Sequence, residues 1–145
     1  MPIKNYTTKI DAGVSLGKIQ SALASAGASK IIVDYEDGVP IAVSFGMLLG
    51  DTMCAYKLPV NFDGVEAVLK KQKIKADKKQ IMRIAWRNVR DWVLAQIALI
   101  EAGNAVAGEI FLPYMTDKTG TTFYQQLMST GQLTLPSNIQ NTEKA

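Results

Sequence analysis

The sequence contains no histidine and only one cysteine, Cys54. A single thiol cannot close an intrachain disulfide, and zinc sites of the usual kinds draw on several Cys or His ligands, so neither staple is available. The commonest general base near neutral pH is missing as well, which removes hydrolases that activate Ser or Cys through His. Long apolar runs are also missing, and none approaches the roughly 18–20 residues of a spanning helix. The first residues, MPIKNYTTKID, lack the charged-then-apolar order of a signal peptide. No Walker motif and no GxGxxG follows a strand-like run, and the acidic residues do not gather in a metal-like pattern. These absences lead us to expect a cytoplasmic protein with no membrane partner, no metal and no cofactor. They also make catalysis the weaker expectation: we read the chain as not an enzyme.

What is present fits one globular domain. The chain has 145 residues, 48% of them hydrophobic and 20% charged, enough to bury a core of ordinary size. We expect a single domain over residues 1–135 and a polar, flexible tail over 136–145. The net charge of +3 is unevenly spread. Between residues 70 and 90 stand Lys70, Lys71, Lys73, Lys75, Lys78, Lys79, Arg83, Arg87 and Arg90 against Asp77 alone, so the rest of the chain is net acidic. One face should therefore attract anions while the other keeps the protein in solution.

Along the chain, residues 3–10 have the β-branched and aromatic content of a strand. A helix over residues 15–26 follows, with Ser15 as N-cap, Leu16, Ile19, Ala22, Leu23 and Ala26 at helical spacing, and Gly27 as the stop. Residues 30–35 and 39–45 then form a hairpin through Asp37-Gly38, a dipeptide suited to a tight turn. Gly50-Asp51 has the residue order of a type II′ turn and leads to a third meander strand at 52–58. Pro40 cannot donate to a ladder, which places it at an edge or a bulge. Asp63 with Glu66, and Asp77 with Gln80, read as boxes opening two helices. Beyond Gly103-Asn104 we expect a helical turn, the segment Phe111-Leu112-Pro113-Tyr114 plugging the core, a turn at 117–120 and a short helix near 123–128. The fold class is thus α+β: a small antiparallel sheet of about four strands, in β-α-β-β-β-α-α order, packed against a long helix in the second half.

That helix, residues 77–102, is the most informative element. Lys79, Arg83, Arg87 and Arg90 fall on one arc, with Ile81, Ile84, Ala85 and Trp92 opposite. Past Asp91 the basic arc is continued by Leu94 and Ile97, leaving little polar surface. A helix this apolar needs cover, and a short chain offers few elements to supply it. We therefore expect a homo-oligomer whose interface includes Trp92, Leu94, Ile97 and Asn88, the last satisfied by a hydrogen bond across the subunit boundary.

Several segments in this order, Tyr6-Thr7-Thr8-Lys9-Ile10, Asp34-Tyr35-Glu36-Asp37-Gly38, Ser44-Phe45, Leu58-Pro59, Ala85-Trp86-Arg87, Asp91-Trp92, Ala95-Gln96 and Phe111-Leu112-Pro113-Tyr114, carry a resemblance. Over residues 6 to about 125 the chain resembles a family of small bacteriophage- and prophage-encoded proteins. The resemblance implies a phage accessory role in a host bacterial cell and supplies no site residues.

The functional expectation joins that setting to the arginines. Spacings of four and three place Arg83, Arg87 and Arg90 on one face, and the guanidinium fork suits bidentate contact with phosphate. Trp86 borders the same arc, where plain core packing is the first expectation and stacking on a base the second, while Lys79 extends the basic stripe. We therefore take Arg83, Arg87, Arg90, Trp86 and Lys79 as candidate ligand-binding residues. The leading expectation is non-enzymatic sequestration of a host nucleotide immune signal, an anti-defence role. One alternative is a single-stranded nucleic-acid binding or annealing protein of phage replication or recombination, using the basic run along a backbone. A second is a protein–protein inhibitor or scaffold.

Overall fold

A computed structural model of the protein describes residues 1–131; the tail expected over 136–145 lies outside the described residues. The first helix, α1 (Ala12–Ser25), buries Leu16, Ile19, Ala22 and Leu23 on one stripe and stops before Gly27, whose φ of 109° favours glycine. It begins three residues earlier than the sequence suggests. Asp11 is the N-cap position, and Ser15, expected there, lies fully buried inside the helix.

Three strands follow as a meander. They are β1 (Lys30–Glu36), β2 (Val39–Leu49) and β3 (Thr52–Lys57). Both turns behave as their residues require. Asp37 and Gly38 take φ of 50° and 77°, the double positive φ of a type I′ turn. Gly50 takes φ 64° and Asp51 does not, as the II′ order requires. Pro40 sits beside the irregularity where the register passes from Asp34↔Ala42 to Tyr35↔Pro40, and β2 pairs with β3 only from Ser44 onward. Neither ladder needs an N–H from Pro40 there, so the proline is tolerated.

After Leu58 the chain enters α2 (Phe62–Lys71), capped by the Asn61 side chain, which accepts from the Gly64 N–H at 2.9 Å. Asp63, expected as the cap, instead lies in the first turn, where its charge suits the helix dipole. The long helix α3 (Lys78–Glu101) opens as expected: the Asp77 carboxylate accepts from the Gln80 N–H at 2.8 Å. Then come α4 (Ala107–Phe111), a 3-10 turn (Leu112–Tyr114), β4 (Met115–Thr116) and α5 (Phe123–Thr130), the last boxed by Thr122 and Gln125.

The sheet is four-stranded and antiparallel, in the order β1-β2-β3-β4. The α+β expectation holds, with one element exchanged. Residues 3–10 form no strand, with turns at residues 4–7, and the fourth strand is β4, late in the described chain. The cause lies in what satisfies the amino-terminal backbone. Asn5 takes φ 66°, and the Gln80 amide donates to the carbonyls of Tyr6 and Thr8 at 3.1 and 2.9 Å. The Ile3 N–H donates to the side-chain Oε1 of Gln72 at 2.9 Å. With α2 and α3 side chains meeting these groups, no ladder is needed.

One face of the sheet carries the core. Val43, Phe45 and Met47 of β2 and Tyr56 of β3 meet Leu16, Ile19 and Leu23 of α1 and Trp86, Val89, Val93 and Ile97 of α3. A second cluster joins Val65 and Leu69 of α2 to Ile81, Ile84 and Ala85 of α3. Phe111 plugs the main core at 0% exposure, with its ring 5.2 Å from Phe45, 5.9 Å from Trp92 and 6.3 Å from Tyr56. The opposite sheet face has no helix on it among the described residues, leaving Ile32, Leu48 and Met53 exposed.

Candidate functional site

Two of the basic residues singled out in the sequence come together. Lys79 and Arg83, one helical turn apart at the start of α3, line a cleft of about 520 Å³ with Lys78 and Met82 of the same helix. Its other walls are Asp11, Ala12 and Gly13 at the start of α1 and Gly38, Val39 and Pro40 of the β1–β2 hairpin. The hairpin turn and the two helix starts thus converge on one opening.

The geometry favours a bound anion on electrostatic grounds. The first turn of α1 holds no acidic residue, and no side chain caps the helix. The Ala12 and Gly13 N–H groups precede the first helical hydrogen bonds, which the Asp11 carbonyl accepts from Val14 and Ser15. Such free donors at a helix start carry partial positive charge. A Cβ built on Gly13 or Gly38 would meet nothing within 4 Å, so the space beside both is open. Asp11 is the one carboxylate in the wall. Its Oδ1 accepts from Arg83 Nε and Nη2 at 3.3 and 3.2 Å, and Gln80 Oε1 accepts from Arg83 Nη1 at 3.2 Å, which together hold the guanidinium in place. Lys78 and Lys79 are exposed and make no ion pair among the described residues. The wall contains no hydroxyl and no thiol, so it can hold a charged group but offers neither of those nucleophiles.

Arg87 and Arg90 do not join this cleft. Arg87 pairs with Asp91 one turn along, Nε to Oδ1 at 3.4 Å. Asp91 also accepts from the Asn5 amide at 2.8 Å and lies 3.7 Å from Lys4 Nζ. Arg90 Nε and the Ser15 hydroxyl are both buried without a hydrogen-bond partner among the described residues. The arc expected to present three guanidiniums to one ligand is therefore divided, because the amino-terminal segment folds over its middle. Trp86 is corrected more sharply. It is 0% exposed, its indole N–H donates to the Pro40 carbonyl at 3.0 Å, and its ring meets Phe62 edge-on at 6.4 Å. It cannot stack on a base because it is enclosed by core.

The residues expected at a subunit interface find cover within the chain. Trp92 lies against Phe111 and Tyr114, whose ring is 5.4 Å away, and Ile97 is 5% exposed. Leu94 is half-buried in the groove between α1 and α3. The Asn88 side-chain oxygen accepts from the Asn5 amide at 2.8 Å. Burial of α3 thus no longer calls for a second copy, because α1, α4 and the 3-10 turn supply what a partner was expected to give.

No protein-family model, no curated protein and no solved structure matches the chain.

Sequence reasoning missed Asp11, Gly13, Gly38 and Met82 as wall residues. The signal was available for one of them: Asp11 is as good an N-cap residue as Ser15, and choosing it would have moved the start of α1 one turn closer to Arg83. The others come from the hairpin and from helix register, which only the packed fold brings together.

The Asn5–Asp91 cluster gives a pH-dependent prediction. Burial alone would push the Asp91 carboxyl up, but the Asn5 hydrogen bond and the charges of Arg87 and Lys4 outweigh it, so its pKa lies below the ordinary Asp value. A depressed carboxyl pKa stabilises the fold above the unfolded-state value and loses that contribution as pH falls through the folded-state value. We expect Asp91→Asn to cost about 1–2 kcal/mol near neutral pH. In urea melts at several pH values, the difference from the parent protein should shrink below the ordinary carboxylate range.

Proposed function

We propose that this protein binds a phosphate-bearing small ligand in the cleft between α1, the β1–β2 hairpin and α3. One observation carries the reading: Lys79 and Arg83 stand one turn apart beside the uncapped start of α1, over an apolar floor of Val39, Pro40 and Met82. The basic rim and helix N–H groups suit phosphate oxygens, and the floor suits the flat face of a base. The resemblance to phage-encoded proteins makes sequestration of a host nucleotide signal the leading role, with self-association as a further part of the proposal.

Calorimetry against a panel of linear and cyclic nucleotides tests it. One ligand of the panel should saturate at one per chain. Lys79→Ala and Arg83→Ala should each weaken it about tenfold or more, since a hydrogen bond to a charged group contributes about 1.5–3 kcal/mol. Gly13→Phe, placed where the space beside the helix is open, should abolish binding while leaving the thermal melt intact. Arg87→Ala should bind as the parent does. Uniformly flat titrations would remove the proposal.

A second reading is favoured by one observation. Among the described residues, Lys71, Lys73, Lys75, Lys78 and Lys79 are all exposed and without an ion pair, and of the lysines from 70 to 79 only Lys70 holds one, with Glu66 at 2.9 Å. Such a row suits an extended nucleic-acid backbone. Affinity that falls steeply with salt and grows with strand length would select it over the compact cleft.

A further inference from the structure

β1 is one margin of the sheet, and its free side is unguarded. β2 pairs with one side only, and no described residue bonds to the backbone of the other. Folded proteins blunt such edges with prolines, bulges, covering loops or charge. β1 contains neither proline nor glycine, and the irregularity near its end adds Ile41 to β2, leaving β1 itself regular. Charge is what remains: Lys30, Asp34 and Glu36 are exposed, and none makes an ion pair among the described residues.

The placement of those charges is self-complementary. Two copies of one strand paired antiparallel about a two-fold axis keep the sum of facing residue numbers constant. Outward N–H and C=O groups belong to alternate residues, so only even sums let both copies present them together. A sum of 60 sets Lys30 against the partner's Lys30, and a sum of 68 sets Asp34 against the partner's Asp34; like charges directly opposed are unfavourable. A sum of 62 sets Lys30 against the partner's Ile32, and a sum of 66 pairs Lys30 with the partner's Glu36 but sets Asp34 against the partner's Ile32; each puts a charge opposite an apolar side chain. A sum of 64 sets Lys30 against the partner's Asp34, twice by symmetry, and Ile32 against the partner's Ile32, so charges meet charges and the apolar side chains meet each other. These residues lie on the sheet face without helices, where Ile32 is 48% exposed. On the other face the same register sets Ile31 against the partner's Val33, both half-buried at the edge of the core.

We propose that a second copy of this chain docks at this margin, β1 to β1 antiparallel, with Lys30 facing the partner's Asp34 and Ile32 facing the partner's Ile32. The two sheets become one, four strands from each copy, and the contact is isologous and closed. Charge at the edge then excludes unlike strands and selects this one. The inference is independent of the ligand cleft, whose residues it does not use.

Sedimentation equilibrium of the full chain tests it by charge exchange. The parent protein should be a dimer. Asp34→Lys faces Lys30 with lysine at both ends of the pairing, and Lys30→Asp does the converse, so each should weaken the dimer about tenfold or more. The double variant K30D/D34K restores opposite charges and should return the dimer. Neither side chain makes an ion pair or hydrogen bond among the described residues, so circular dichroism should be unchanged across the set. A parent protein that stays monomeric to its highest soluble concentration would overturn the proposal, as would single variants that dimerise like the parent or a double variant that fails to recover.

Discussion

Trp86→Ala is expected to destabilise the protein by about 3–5 kcal/mol, the range for emptying the space of a buried aromatic. Trp86 is among the largest fully buried side chains and belongs to the main core cluster, while its ring contact with Phe62 reaches toward α2. Its indole N–H also satisfies the Pro40 carbonyl, at the point where β2 has left the β3 ladder. Trp86→Phe separates the two contributions: it keeps much of the volume and leaves that carbonyl unpaired, for a cost of about 1–3 kcal/mol. Chemical denaturation measures both. A base-stacking tryptophan would give the opposite pattern, near-parental stability with binding lost.

Phe111→Ala is expected to cost a similar amount, about 3–5 kcal/mol. Phe111 is the plug by which the segment after Gly103 closes over α3, with ring contacts to Phe45, Tyr56 and Trp92. Removing it should loosen α4 and the 3-10 turn from the core. Trp92, half-buried against Phe111 and Tyr114, should then emit at longer wavelength, while amide exchange quickens in the last turns of α3. If a second subunit rather than this segment covers α3, the substitution should cost under about 1 kcal/mol, the level of ordinary surface changes.

These two residues also mark how far the sequence could be read. Features set by local chemistry were legible: Asp37-Gly38 and Gly50 demand positive φ, Asp77 caps the long helix, and the stripes of α1 and α3 bury as their spacing requires. Features set by distant partners were not. Residues 3–10 have strand-forming composition, yet Gln72, Gln80, Asn88 and Asp91 meet their polar groups from α2 and α3. The stacking role given to Trp86 failed for a related reason: an angle on a helical wheel does not say what the adjoining hairpin covers. The candidate site was half legible. Lys79 and Arg83 could be named from helical spacing, but separating them from Arg87 required knowing that Asn5 and Lys4 fold onto Asp91. The opposing walls, Gly13 and Gly38, meet α3 only through tertiary packing.

The central claim is that anion recognition resides where α1, the first hairpin and α3 converge. A two-dimensional NMR titration with a nucleoside diphosphate tests it most directly, because each amide reports its own position. Saturable shifts confined to Ala12, Gly13, Gly38 and the amides and side chains around Lys79 and Arg83 are the predicted result. Shifts spread along the lysines of residues 70–75, or centred on Arg87 and Asp91 with the start of α1 unmoved, would contradict it.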